Sequence, residues 1–145
     1  IGVGFIIGVS RGITTLMNGG MITDTVLYWG ERALDGAGSV TFILLVYLIY
    51  LPLSILIPSS SGLATLSVPI MAPLGEFAGI GGALIITAFQ SASGLVNLIT
   101  PTAAVVMGGL AFGNVPYDRW VRFIWKLILI FFLLTVAFLA VSAVL

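Results

Sequence analysis

The sequence predicts an all-α integral membrane protein containing a re-entrant helical hairpin and a broken transmembrane helix, and three observations carry that prediction. Of its 145 residues, 60% are hydrophobic and 7% charged, with a mean hydropathy of +1.27, whereas a soluble domain carries about a quarter charged residues. Several apolar runs reach or approach the roughly 20 helical residues that cross a hydrocarbon core. Two of those runs are interrupted by short polar clusters, Pro58-Ser59-Ser60-Ser61-Gly62 and Asn97-Leu98-Ile99-Thr100-Pro101-Thr102. In hydrocarbon every backbone N–H and C=O needs a partner, so a broken helix survives only where it lines a cavity enclosed by protein.

Composition removes several classes of function. The five basic and five acidic residues cancel, which leaves no electrostatic footprint for nucleic acid. The chain has no cysteine and no histidine, so it holds no disulfide, thiolate nucleophile, usual zinc site or histidine proton relay. A nucleophile with its base, or a metal site, finds no histidine or cysteine in this chain, and an enzymatic role has no support. The chain opens inside an apolar run, Ile1-Gly2-Val3-Gly4-Phe5-Ile6-Ile7, without a basic segment before it. This predicts a piece of a larger membrane protein whose remaining part lies on the N-terminal side.

Residues 1–17 read as the end of a transmembrane helix, with Arg11 set in an apolar frame. An arginine there is either functional or a structural cap that snorkels to the interface. Gly4, Gly8 and Gly12 recur at a spacing that suits close helix contact, although spacings of this kind also arise by chance among 18 glycines. Residues 21–36 read as an interfacial amphipathic helix carrying Asp24, Glu31 and Arg32, with Tyr28 and Trp29 suited to the membrane boundary.

Residues 39–78 are read as the re-entrant hairpin, with its tip at 58–62. The apolar stretch 63–74 is only a dozen residues long, which as helix covers about 18 Å of a core about 30 Å thick. The stretch before the tip is longer, and Pro52 together with burial of its start in the interface shortens its reach. Residues 79–113 form a transmembrane helix broken at 97–102. Residues 114–126 make a turn and a helix start, and residues 127–145, all uncharged, make the last transmembrane helix. Arg119, Arg122 and Lys126 are three of the five basic residues, so the positive-inside rule puts 114–126 in the cytoplasm. The hairpin then opens to the outside, residues 21–36 lie at the outer face, and the C-terminus is outside. Trp120 and Trp125 read as interface anchors.

A helix that stops in mid-membrane presents unpaired carbonyls, and one that starts there presents unpaired N–H groups. The arms ending near Ile57 and Val96 therefore suit a cation, and those beginning near Ser61 and Thr102 suit an anion. Ser59, Ser60, Ser61, Asn97, Thr100 and Thr102 add uncharged oxygen ligands of the kind a hard monovalent cation accepts, which puts a candidate Na+ site near Ser60, Ser61 and Thr100. Gly62 and Gly94 allow close backbone approach, and Pro58 and Pro101 stop the helix from continuing. The substrate- and ion-binding candidates are Ser59, Ser60, Ser61, Gly62, Asn97, Thr100, Pro101 and Thr102, with Gln90, Ser93 and Gly94 as further lining. Gln90 is read equally well as helix-packing glue. Ser54, Thr65, Ser67, Thr87, Ser91 and Ser93 are of the type that bonds back to the preceding turn or to a neighbouring helix. Two interrupted hydrophobic segments are the sequence signature of a secondary-transporter binding site. A channel would instead line one continuous helix face with polar groups.

At these clusters the sequence resembles a known family. Ile57-Pro58-Ser59-Ser60-Ser61-Gly62-Leu63-Ala64, Pro69-Ile70-Met71-Ala72-Pro73-Leu74 and Ala88-Phe89-Gln90-Ser91-Ala92-Ser93-Gly94-Leu95 are similar to segments of the C4-dicarboxylate anaerobic carriers. So are the run 97–102, the exit Val115-Pro116-Tyr117-Asp118-Arg119-Trp120 and the early Gly8-Val9-Ser10-Arg11-Gly12-Ile13. A sister branch comprises YfcC-like antiporters for basic amino acids. The resemblance implies membership of the ion transporter superfamily, with two inverted repeats and an elevator-type movement of a transport domain against a dimeric scaffold. The chain would be the C-terminal half, and residues 21–36 the arm linking the two domains. It implies a hairpin-tip role for Ser59, Ser60 and Ser61 and a broken-helix role for Asn97, Thr100, Pro101 and Thr102. Sodium-coupled members of the superfamily often show a Ser-Asn-Thr type of tip where this chain has three serines.

The expected function is secondary active transport of a small carboxylate-bearing metabolite, such as a C4-dicarboxylate, across a bacterial cytoplasmic membrane. Coupling would be to Na+ or H+, or transport would proceed by exchange, with no organic cofactor. The alternative within the family is amino-acid antiport, and a non-transporting scaffold or channel is the distant one. The expected partners are the solute, the lipid bilayer, the missing N-terminal repeat and a second copy in a homodimer.

Overall fold

The computed structural model describes residues 38–57 and 59–145, together with residues 19 and 20. The readings of a helix end at 1–17 and an interfacial helix at 21–36, with Arg11 and the charges and aromatics named there, lie outside the described residues, as does Pro58. The described residues are all-helical, with five helices: α1 Ser39–Leu56, α2 Ser60–Phe77, α3 Gly82–Asn97, α4 Ala104–Phe112 and α5 Tyr117–Ser142. Among them α1 and α5 are long and apolar enough to cross a membrane.

The second arm is longer than the sequence suggests. α2 has 18 residues rather than a dozen, and it runs through Pro69 and Pro73. Three of the six additional residues lie at its start and three at its end, where the helix runs on to Phe77. The serines belong to the helix rather than to a loop, because the Ser59 side chain caps it by accepting from the Gly62 N–H at 3.2 Å. α1 likewise continues past Pro52 to Leu56. Chain length alone therefore does not decide whether the pair α1–α2 turns back within the bilayer.

The core forms where α1 and α3 lie together. Phe42, Ile43, Val46, Tyr47 and Tyr50 of α1 recur at helical spacing on one face, and Ile85, Ala88, Phe89 and Ala92 of α3 do the same. All are buried, as are Leu63 and Leu74 of α2 and Leu139 of α5. The alanines allow close approach of the backbones, which is how helices associate where lipid and side chains are equally apolar. The Tyr50 ring packs on Phe89 at 5.3 Å between centroids, and Tyr47 packs on Phe132 of α5 at 5.7 Å. Tyr50 donates its hydroxyl to Ser67 of α2 at 3.1 Å. Ser54, Ser67 and Thr87 each donate back to the carbonyl four residues earlier, the local bonding expected of them.

Two helix ends close in the same way. Ile80 N–H donates to Gly75 O at 2.8 Å and Gly79 N–H to Glu76 O at 3.0 Å, with Gly79 at φ 72°. At the end of α4, Val115 N–H reaches Leu110 O at 2.9 Å and Asn114 N–H reaches Ala111 O at 3.2 Å, with Asn114 at φ 50°. Both are left-handed caps that satisfy the last carbonyls of a helix. The second turn delivers the chain to Pro116, the cap residue of α5, and so sets α5 beside the interruption between α3 and α4.

Candidate functional site

The site is built from two places where helices stop. α1 ends at Leu56 and α2 starts at Ser60; α3 ends at Asn97 and α4 starts at Ala104. At the first, Ile57 N–H returns to Leu53 O at 2.8 Å. Ser59, Ser60 and Ser61 are all exposed, and the Ser59 and Ser61 hydroxyls lie 3.3 Å apart. A Cβ at Gly62 would stand 3.3 Å from Ser59 Oγ, closer than most real contacts, so the missing side chain keeps the cap in place.

At the second, the chain is held by its own polar side chains. The Thr100 and Thr102 hydroxyls are 2.8 Å apart, and Thr102 N–H points to Thr100 Oγ1 at 3.4 Å. Thr100 is buried, as is Ser93, and Asn97 donates from Nδ2 to Ser93 Oγ at 3.4 Å. Its other amide atom, Asn97 Oδ1, is buried with no hydrogen-bond partner. An acceptor left in that state is the type of group a cation or a donor-bearing ligand would satisfy. Pro101 is exposed. α4 then begins without a side-chain cap, which leaves its leading N–H groups available to an anion.

One contact joins the two places. Thr102 donates its hydroxyl to the carbonyl of Ile55, in the last turn of α1, at 3.4 Å across 47 residues of sequence. The interruption in the second element is thus set against the end of the first arm. Among the described residues no hydrogen bond runs from Ser60 or Ser61 to Thr100. The oxygen atoms that hydrogen bonds bring together here are the Thr100 and Thr102 hydroxyls and the Ile55 carbonyl. Uncharged hydroxyl and carbonyl oxygens are a donor set that Na+ accepts, and among the described residues no three acidic, histidine or cysteine side chains gather for a multivalent metal.

Of the three residues read from the sequence as further lining, Ser93 meets the interruption through Asn97. Gln90 and Gly94 are exposed. Gly94 borders a cavity of about 250 Å³ together with Ser91, Leu95, Leu98, Phe131 and Thr135, between α3 and α5 rather than toward α1.

The sequence reading missed the groups that close the interruption from the far side. The Trp120 indole donates to Leu98 O at 2.9 Å, and the Tyr117 hydroxyl donates to Ile99 O. Trp120 is half-buried and makes this bond, so it is more than a membrane anchor. The available signal was its residue type, since a buried indole or phenol seeks a partner for its polar end.

The sequence family described as C4-dicarboxylate anaerobic carrier matches residues 1–144. An uncharacterised protein of Haemophilus influenzae is 37% identical over 128 residues, which is 88% of this chain and 25% of that protein. A protein of Escherichia coli strain K12 provisionally named basic amino acid antiporter YfcC is 30% identical over 125 residues, 81% of this chain and 24% of that protein. The chain thus spans about a quarter of the length of these curated relatives. No solved structure matches it significantly.

Proposed function

The chain belongs to the C4-dicarboxylate anaerobic carrier family, and from that premise we propose that it forms one half of the solute site of a secondary active transporter. The observation that carries the reading is the hydrogen bond from Thr102 to the Ile55 carbonyl, which draws two helix interruptions to one place. In this reading the hairpin residues Ser59, Ser60, Ser61 and Gly62 and the interruption residues Asn97, Thr100, Pro101 and Thr102 face a small carboxylate-bearing solute. The uncapped start of α4 and the serine-capped start of α2 attract its carboxylate through their N–H groups. A coupling ion, Na+ in the first instance, takes the hydroxyl and carbonyl oxygens near Ser60, Ser61 and Thr100. The second half of the site, the inverted repeat, a homodimeric scaffold and an elevator movement belong to the same reading, as does a bacterial cytoplasmic membrane with residues 114–126 inside. Amino-acid exchange is the second reading, favoured by the likeness to the YfcC protein.

The test uses the full-length protein, freed of any other cysteine, with single cysteines at Ser60 and Thr102. Both are expected to react with a small membrane-impermeant thiol reagent. A C4-dicarboxylate should slow both reactions if the first reading holds, and a basic amino acid should do so if the second does. Failure of both positions to label in every state, while outer-face controls do, would remove the site reading.

A further inference from the structure

We propose that Tyr117 and Trp120 are positioning residues: together they clamp the interruption between α3 and α4 and so set the affinity for the transported solute. The inference rests on the transporter reading above.

A helix end leaves carbonyls without helical partners, to be satisfied by side chains, water or ligand. The two carbonyls just beyond the end of α3, those of Leu98 and Ile99, are both taken by α5, through the Trp120 indole at 2.9 Å and the Tyr117 hydroxyl. The donors stand three residues apart in a helix and share a face, and their acceptors are consecutive. The match depends on how the chain reaches α5. The left-handed cap at Asn114 and the extended Pro116 before the first turn return the chain beside the interruption it has just left.

The result is an interruption held from two sides. Its carbonyls at 98 and 99 are tied to α5, while its hydroxyls at 100 and 102 pair with each other and the Thr102 hydroxyl donates to the Ile55 carbonyl of α1. A segment held this way presents its polar groups already in place. Without the clamp the solute has to order the segment as it binds, and affinity falls by that amount while the transport step itself is untouched. Tyr117 and Trp120 need not touch the solute for this to hold.

The variants are Tyr117→Phe and Trp120→Phe, each keeping an aromatic ring and losing the donor. The Tyr117 change is the milder and guards against loss of folding in the other. Hydrogen–deuterium exchange on the full-length protein reads the clamp without any solute. Exchange at 97–104 is expected to quicken about fivefold or more in either variant, with α1 unchanged. Unchanged exchange at 97–104, or an equal rise along α1, overturns the proposal. In proteoliposomes, uptake of radiolabelled succinate and of radiolabelled arginine supplies the second reading. For whichever probe is carried, KM should rise about fivefold to tenfold with the maximal rate held within about twofold. Should Thr102→Val raise KM while both clamp variants leave it alone, the clamp is wrong and the transporter site stands. Should none of the three move it, the site reading falls as well. If neither probe is carried, the exchange measurement decides.

Discussion

Thr102 hands its hydroxyl hydrogen to the carbonyl oxygen of Ile55, 3.4 Å away and 47 residues earlier in the chain. Ile55 lies in the last turn of α1, beyond Pro52, where carbonyls have lost or are about to lose their helical partners. The contact therefore joins an acceptor freed by one helix end to a hydroxyl freed by another. Polar groups left over at two helix ends are satisfied by bringing those ends together.

Thr102→Val should remove that bond while keeping the side-chain shape, and Thr102→Ser should keep it. A neutral hydrogen bond contributes about 0.5–1.5 kcal/mol net, so solute binding by the full-length protein is expected to weaken about two- to tenfold in the valine variant. The serine variant should bind within about twofold of the parent by the same reasoning. Equilibrium binding or protection of a cysteine at Ser60 measures both.

The contact between α2 and α3 gives a prediction about stability. A Cβ placed on Gly75 would lie 2.8 Å from Ile85 Cγ1 and 2.9 Å from Ile85 Cδ1, the atom that valine lacks, and Ile85 is fully buried. Overpacking of this type costs about 1–3 kcal/mol. Gly75→Ala should lower the thermal midpoint in detergent, and Ile85→Val in the same molecule should restore part of the loss. Simple addition of the two single effects would show that the two residues do not meet.

What the sequence reveals and what it hides divide along physical lines. The interruption at 97–102 is legible because Asn97, Thr100, Pro101 and Thr102 crowd a proline and backbone-bonding side chains into six residues of an apolar run, whereas the isolated Pro52, Pro69 and Pro73 leave α1 and α2 continuous. The length of α2 is not, since Ser59 can be read as loop or as cap and only its bond to the Gly62 N–H distinguishes them. Ile55 meets Thr102 through a backbone carbonyl, which every residue has, so no side-chain pattern marks it. Tyr117 and Trp120 carry a residue-type signal with two meanings, anchoring at the interface or capping a carbonyl, and tertiary structure chooses between them. Membership of the family is legible because its motifs coincide with these same interruptions.

The two left-handed turns should respond differently to substitution. Gly79 sits at φ 72°, where a β-branched residue is strained, and Gly79→Val is expected to cost about 1–2 kcal/mol. Asn114 sits at φ 50° and is already a tolerated residue there, so Asn114→Gly should change stability by less than about 0.5 kcal/mol. Chemical or thermal unfolding of the purified protein compares the two; an equal loss at both would mean that contact, rather than backbone conformation, governs these turns.

The pair Tyr50 and Ser67 makes an asymmetric prediction. Ser67 both receives the Tyr50 hydroxyl at 3.1 Å and donates to Leu63 O at 2.7 Å. Tyr50→Phe removes a donor but leaves Ser67 bonded to its own helix, so no buried group is orphaned. Ser67→Ala leaves the Tyr50 hydroxyl without its acceptor in a fully buried setting, and an unsatisfied buried group costs about 1–3 kcal/mol. The alanine variant should therefore be the less stable of the two. Adding Tyr50→Phe to it should recover stability rather than lose more, because the orphaned hydroxyl is then gone. A double variant less stable than Ser67→Ala alone would mean that the tyrosine hydroxyl finds another acceptor once the Ser67 hydroxyl is gone.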